Sequence, residues 1–194
     1  MEIGATKAVQ DRLKTTKIEE SKGASLVFCW DTHLTKIKGR NVLFIVNASN
    51  RYTIAMTDIE PRNWNYYTMY ISRVIHGVMQ EMGYSEDQIG QYFKMSGDTT
   101  VTKTHGRKSV GGINRMVMDA QYFGKKLEKE AKYQWELSEY LNRDICQPEG
   151  FDAYGYPSEL FKLDMERLGI ATKRKPAKVI DIAQYIENNR GTND

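Results

Sequence analysis

Between residues 24 and 57, short runs of apolar, β-branched and aromatic residues alternate with polar turns. The apolar runs cover residues 26–30, 42–46 and 52–56, and the turns cover residues 38–41 and 47–50. Turns this short leave no room for a crossover helix, so the pattern predicts an antiparallel meander. The run at residues 42–46 is apolar on both faces, which predicts the most buried strand. Two more short strands are expected at residues 2–5 and 99–104.

After Pro61 the apolar residues recur at spacings of three and four, which predicts a helix over residues 64–82. Ser85 and Gln88 have the spacing of a capping box and predict the start of a second helix. Ser109 is expected to cap a third helix that runs to about residue 123. Further helical segments are expected at residues 7–14, 127–141 and 158–168.

Together these elements predict an α+β fold, in which a mostly antiparallel sheet has helices packed on one face, plus a helical C-terminal extension. We expect residues 1–124 to form the α+β core domain. Residues 125–194 are expected to form the extension, with a basic linker at residues 171–178. Removing residues 171–194 is expected to leave the core folded.

The composition is that of a globular chain, with 40% hydrophobic and 27% charged residues among 194. The net charge of +3 falls short of the strongly basic balance of dedicated nucleic-acid-binding domains. Two cysteines exclude a disulfide scaffold and a Cys-rich zinc module. No apolar run approaches the roughly 20 residues of a membrane span, and the first residues lack the apolar stretch of a signal peptide. We therefore expect a cytoplasmic protein with no membrane partner.

Three local patterns are distinctive. They are Met1-x-Ile3-x-x-Thr6-Lys7, Asn47-x-Ser49-x-Arg51-Tyr52 and Thr102-Lys103-Thr104-x-x-Arg107-x-Ser109-Val110-x-Gly112-x-Asn114. In their order and spacing they resemble a family of small bacterial and phage proteins that is known only as a domain of unknown function. The resemblance covers about residues 1–124. It implies a shared fold and supplies no activity.

The third pattern also has a physical interpretation. A strand ending at Thr104 would turn at Gly106 into a helix, and the free N–H groups of a helix N-terminus favour anions. The candidate binding residues around this point are Lys103, His105, Arg107, Lys108, Ser109 and Asn114. A phosphate or an acidic side chain would fit there. A tight turn with solvated cations is the alternative.

Two other places are candidates for binding. Arg51 follows the most apolar strand, where it would pair with a ligand anion or with a carboxylate such as Asp58. Trp135 and Tyr140 lie in a charged helical segment, where exposed aromatic residues suit a protein-binding face or the seam of a homodimer. Packing of these aromatic residues against the C-terminal segment is the alternative.

No catalytic constellation is recognisable in the sequence. His33, His76 and His105 are far apart along the chain, so no metal site is expected. Cys29 lies in an apolar strand run, which is typical of an inert buried thiol. No cofactor is expected, and an enzyme is the less favoured class.

These observations favour a non-catalytic binding or regulatory module that acts on a protein or a protein–nucleic-acid complex. One concrete version is a phage or mobile-element inhibitor of a host or defence nuclease. The alternative is an enzyme or sensor that handles a phosphate-bearing ligand at residues 103–114. A concave pocket at those residues would favour the alternative, and an exposed apolar face elsewhere would favour the binding module. Replacing Lys103 and Arg107 together by Ala is expected to weaken partner binding at least about tenfold.

Overall fold

The computed structural model describes residues 1–15 and 18–172. Within these residues the chain forms one five-stranded sheet. The strands are Glu2–Ala5 (β1), Cys29–Ile37 (β2), Arg40–Asn47 (β3), Thr53–Thr57 (β4) and Thr100–Thr102 (β5). Their order across the sheet is β4-β3-β2-β1-β5, which places the first and last strands side by side.

The sheet is mixed. Strands β2, β3 and β4 form the predicted antiparallel meander. By contrast, β1 runs parallel to both β2 and β5. The α+β class is therefore confirmed, and the sheet combines an antiparallel half with a parallel half. The parallel half arises because long helical connections separate β1 from β2 and β4 from β5, and such connections allow strands to run in the same direction.

Seven α-helices lie within the described residues. They are Lys7–Leu13 (α1), Pro61–Asn65 (α2), Tyr67–Glu81 (α3), Glu86–Ser96 (α4), Gly106–Gln121 (α5), Trp135–Asn142 (α6) and Pro157–Arg167 (α7). The predicted capping box is confirmed, because Ser85 accepts a bond from the backbone N–H of Gln88, whose side chain accepts from the backbone of Ser85. The predicted long helix is divided at Tyr66, and helix formation in the 127–141 segment is confined to α6. No helix of this part of the chain has the length and apolar character needed to cross a membrane.

Helices cover both faces of the sheet, so the prediction of helices on one face is wrong. The reason is visible in β3, whose alternate side chains point to opposite faces. Leu43 and Ile45 pack with helices α1–α4 and α7, whereas Val42, Phe44 and Val46 pack with α5 and α6. A strand that is apolar at every position needs cover on both sides, and the chain supplies it from two sets of helices.

The free edge of β4 is closed by residues 132–142. Asn142 accepts from the Thr53 N–H at 2.7 Å and donates to the Thr53 carbonyl at 2.8 Å. The Ser138 hydroxyl accepts from the Ala55 N–H at 3.0 Å. Edge strands left open are templates for unwanted pairing, and here side chains of α6 take the place of another strand. Residues after 124 thus contribute to the sheet edge and to both cores.

The proposed boundary at residue 124 stays a prediction, because packing does not establish which part folds alone. Most of the predicted basic linker and the C-terminal segment that follows it lie outside the described residues.

Candidate functional site

A group of polar residues occupies the sheet face that carries α5, at the parallel end of the sheet. The strand register pairs Glu2 with Cys29 and Gly4 with Asp31. Residues two apart on a strand share a face, so these four positions form a square on that face. Cys29, Glu2 and Asp31 are all buried.

Gly4 makes room for the Asp31 carboxylate. A Cβ atom at this position would lie 1.8 Å from Asp31 Oδ1 and 3.0 Å from the backbone Cα of Thr104. A side chain of any size would therefore displace the carboxylate or the backbone after β5. The missing side chain of Gly4 is what allows a charged group to be enclosed here.

His105 bridges the two carboxylates of the square. Its Nδ1 lies 2.7 Å from Asp31 Oδ1, and its Nε2 lies 3.0 Å from Glu2 Oε2. The His105 backbone N–H also donates to Asp31, at 3.2 Å. The position follows from local structure, because Gly106 adopts a φ of 90° that turns the chain from β5 into α5. We call Glu2, Asp31, His105 and Ser109 the buried polar cluster.

The outer members of the buried polar cluster complete its hydrogen bonds. Ser109 donates its hydroxyl proton to Asp31 Oδ2. On the other side, the Ser21 hydroxyl donates to Glu2 Oε2 at 2.6 Å, and the Lys22 backbone N–H donates to Glu2 Oε1 at 2.8 Å. Each carboxylate is thus held by several donors, as a buried charge requires.

Asp31 favours the charged form of His105, and His105 in turn favours the charged form of Glu2. Burial alone would lower the pKa of His105, but the hydrogen bond and negative charge of Asp31, together with a hydrogen bond to Cys29, outweigh it and raise the pKa to about 10. Burial would raise the pKa of Glu2, yet bonds from Ser21, Lys22 and His105 bring it below its ordinary value. An imidazolium between two carboxylates is the arrangement that these directions support.

The structure therefore turns two predicted binding residues inward. His105 and Ser109 serve the buried polar cluster and do not face solvent. Ser109 is also not the N-cap of α5, because the helix begins at Gly106 and the N-cap position is His105. The helix starts earlier than the sequence pattern indicated because the Asp31 carboxylate anchors the residue before it.

The predicted cations are placed differently from one another. Lys103 is exposed and forms an ion pair with Glu20. The sequence did not predict this pair, because the two residues are far apart along the chain. Lys108 donates to the Pro148 carbonyl at 3.2 Å. Arg107 and Asn114 are exposed, and their side chains have no hydrogen-bond partner among the described residues.

Arg51 binds within the protein. It donates from Nη2 to the Gly112 carbonyl at 2.8 Å, and its guanidinium lies against Gly112, where a Cβ would be 3.0 Å from Nε. The suggested pairing with Asp58 is wrong, because Asp58 pairs with Arg40. The second and third sequence patterns thus meet at Gly112.

A cleft of about 350 Å³ lies beside α6. We call it the aromatic cleft. Its lining residues are Tyr52, Met82, Tyr133, Trp135, Glu139, Asn142, Arg143, Ser158, Glu159 and Lys162. Trp135 is 44% exposed and packs edge-on against Tyr133, with ring centroids 5.9 Å apart. Burial raises the pKa of both Tyr52 and Tyr133, so their phenols stay neutral at physiological pH.

The predicted site residues Trp135 and Tyr140 lie in different surroundings. Trp135 lines the aromatic cleft, whereas Tyr140 packs on Phe123, with ring centroids 5.5 Å apart. Sequence reasoning missed Glu2 and Asp31, and it missed Lys162 as part of a surface shared with Trp135. An acid directly after Trp30 in an apolar run was the available signal for a buried carboxylate.

An α+β protein with a mixed sheet, a sealed polar cluster and an aromatic cleft is what the structure defines. The chain belongs to the family described as a domain of unknown function, DUF6933, which matches residues 2–160. This confirms the prediction that the chain belongs to a family of unknown function, and the match extends past residue 124. Comparison with curated proteins and with solved structures found no match.

Proposed function

We propose that this protein is a non-catalytic binding module that holds a peptide segment of a protein partner in the aromatic cleft. The observation that carries the proposal is the cleft itself, in which the exposed Trp135 lies beside the uncharged side chains of Tyr52 and Tyr133. Tryptophan and tyrosine supply large contact area and are enriched among the residues that dominate binding energy.

The charges around the aromatic cleft favour a protein segment over a nucleic acid. Arg143 pairs with Glu139 at 2.7 Å, and Lys162 pairs with Glu159 at 3.0 Å. Each cation of the rim is therefore balanced by an acid three or four residues before it. A groove that tracks a phosphate backbone needs an excess of positive charge, and this rim has none. An apolar or aromatic anchor residue flanked by polar residues is the chemistry that fits.

The buried polar cluster gives little support to catalysis. Its imidazole and both carboxylates are bonded to one another and to neighbouring donors, with no side chain directed to solvent. A general acid or base must reach a proton on its substrate, and these groups do not. The phosphate-binding alternative at residues 103–114 is weakened too, since two of its proposed ligands face inward and Lys103 already has a partner.

The binding test begins with selection from a random-peptide display library on immobilised protein. The wild type is expected to enrich peptides that share an apolar or aromatic anchor. Their dissociation constants are then measured for Trp135→Ala. This variant should bind at least about tenfold more weakly, because truncating a hot-spot residue costs about 2 kcal/mol or more and a tenfold change corresponds to about 1.4 kcal/mol. Tyr122→Ala is the matched control, because Tyr122 is 79% exposed and does not line the cleft.

An affinity that is unchanged by Trp135→Ala would refute the proposal. Light scattering tests whether a second copy of this chain occupies the cleft. A wild-type dimer that dissociates in Trp135→Ala would show that it does. For the specific proposal of a host or defence nuclease as partner, affinity capture from host lysate should be repeated after nuclease treatment. A nuclease that is retained by the wild type and lost with Trp135→Ala, and whose activity falls on binding, supports that version.

A further inference from the structure

Three potential metal ligands meet beneath α5, where the first two strands and the start of that helix converge. Glu2 offers a carboxylate oxygen, Cys29 a sulfur and His105 an imidazole nitrogen, and these atoms lie within 4.8 Å of one another. All three residues are buried. We propose that this group is a structural Zn²⁺ site, independent of the aromatic cleft.

One of the three distances between ligand atoms is already close to what a zinc ion requires, and the other two are within 4.8 Å. Zinc bonds of about 2.0–2.3 Å in a tetrahedron place neighbouring ligand atoms roughly 3.5 Å apart. Glu2 Oε2 and His105 Nε2 are already 3.0 Å apart. Glu2 and Cys29 are register partners on adjacent strands, so the sheet itself fixes two of the three ligands.

Asp31 positions the histidine for this role. His105 Nδ1 lies 2.7 Å from Asp31 Oδ1, and Ser109 donates to the other carboxylate oxygen. Metal-bound histidines commonly donate the second ring N–H to a carboxylate, which fixes the ring and directs the remaining nitrogen at the metal. Here that remaining nitrogen is Nε2, which lies 3.0 Å from Glu2 Oε2. Gly4 provides the space that lets the Asp31 carboxylate lie beside His105.

The donor types select the metal. A thiolate, an imidazole and a carboxylate together suit zinc, whereas magnesium and calcium take oxygen ligands. Binding would release the proton on His105 Nε2 and the proton on Cys29 Sγ. The two charges of the ion are then matched by the Cys29 thiolate and the Glu2 carboxylate, and Asp31 keeps its bond from Nδ1–H. Zinc and these protons therefore compete for the same atoms.

The test uses full-length, tag-free protein that has been treated with chelator and dialysed. Titration with Co²⁺, a spectroscopic substitute for zinc, is expected to produce a thiolate-to-metal charge-transfer band that saturates at one equivalent. One equivalent of Zn²⁺ should abolish the band and raise the melting temperature. Both effects should remain in Cys146→Ser, because Cys146 is the other buried free cysteine and lies outside the group.

Cys29→Ser and Glu2→Gln test the assignment of the ligands. Cys29→Ser is expected to lose the charge-transfer band, and Glu2→Gln is expected to weaken metal binding, while circular dichroism confirms that each variant is folded. Should a variant fail to fold, the wild-type and Cys146→Ser titrations still decide the matter. Absence of stoichiometric binding by the wild type, or a band that disappears only in Cys146→Ser, would overturn the proposal and leave the group as a hydrogen-bonded cluster alone.

Discussion

Adding a single methyl group at Gly4 is expected to destabilise the whole protein. The new Cβ would lie 1.8 Å from Asp31 Oδ1 and 3.0 Å from the Thr104 backbone. The carboxylate must then move away from His105 and Ser109, which both bond to it. Hydrogen bonds to a charged group are each worth about 1.5–3 kcal/mol, and overpacking costs about 1–3 kcal/mol more. Gly4→Ala should therefore lower the free energy of unfolding by about 3 kcal/mol or more.

Gly111→Ala is the matched control, because it makes the same chemical change with the opposite expected sign. Gly111 is exposed on α5, and a Cβ there meets nothing within 4 Å. Alanine in a helix interior is favoured over glycine by about 0.8–1.0 kcal/mol, so this variant should be more stable than the wild type. Urea unfolding followed by circular dichroism measures both variants. A Gly4→Ala protein within about 0.5 kcal/mol of the wild type would refute the packing argument.

Two further predictions follow from single contacts. Asn142→Ala should lower the free energy of unfolding by about 2 kcal/mol or more, because it leaves the buried N–H and C=O of Thr53 unpaired. Asn114→Ala, at an exposed position of α5, should change this free energy by less than about 0.5 kcal/mol. Urea unfolding measures both variants. The double variant Lys103→Ala with Arg107→Ala should leave the melting temperature nearly unchanged, because the exposed Lys103–Glu20 pair is worth less than about 1 kcal/mol. A large drop in the melting temperature, measured by calorimetry, would contradict this prediction.

Local patterns in the sequence predicted the elements whose structure is set locally. The meander β2–β3–β4 follows from alternation and short turns, and the start of α4 follows from the Ser85–Gln88 capping box. Both depend on residues that are close along the chain. The cover on the second face could be inferred in principle, since residues 42–46 are apolar at every position and a strand of that kind cannot leave one face in water.

The parallel half of the sheet depends on contacts that no local pattern encodes. Strand β1 pairs with β5 across almost 100 residues, and only that pairing brings His105 to Glu2 and Asp31. The same distance hid the Lys103–Glu20 pair and the grouping of Glu2, Cys29 and His105. Three histidines far apart in sequence say nothing about a metal site when its other ligands come from neighbouring strands.

The three distinctive sequence patterns meet inside the fold. Residues 1–7 contribute Glu2 to the buried polar cluster, and Gly4 leaves room there for Asp31. The segment of the third pattern contains His105 and Ser109. Arg51 of the second pattern lies on Gly112 of the third. Residues that join strands and helix in this way are needed for the architecture whatever the protein binds. The chain segments that carry these patterns therefore assemble this end of the sheet. A binding surface should be sought where the chain leaves an aromatic residue exposed over a cleft, and Trp135, inside the matched range 2–160, lies at one such cleft.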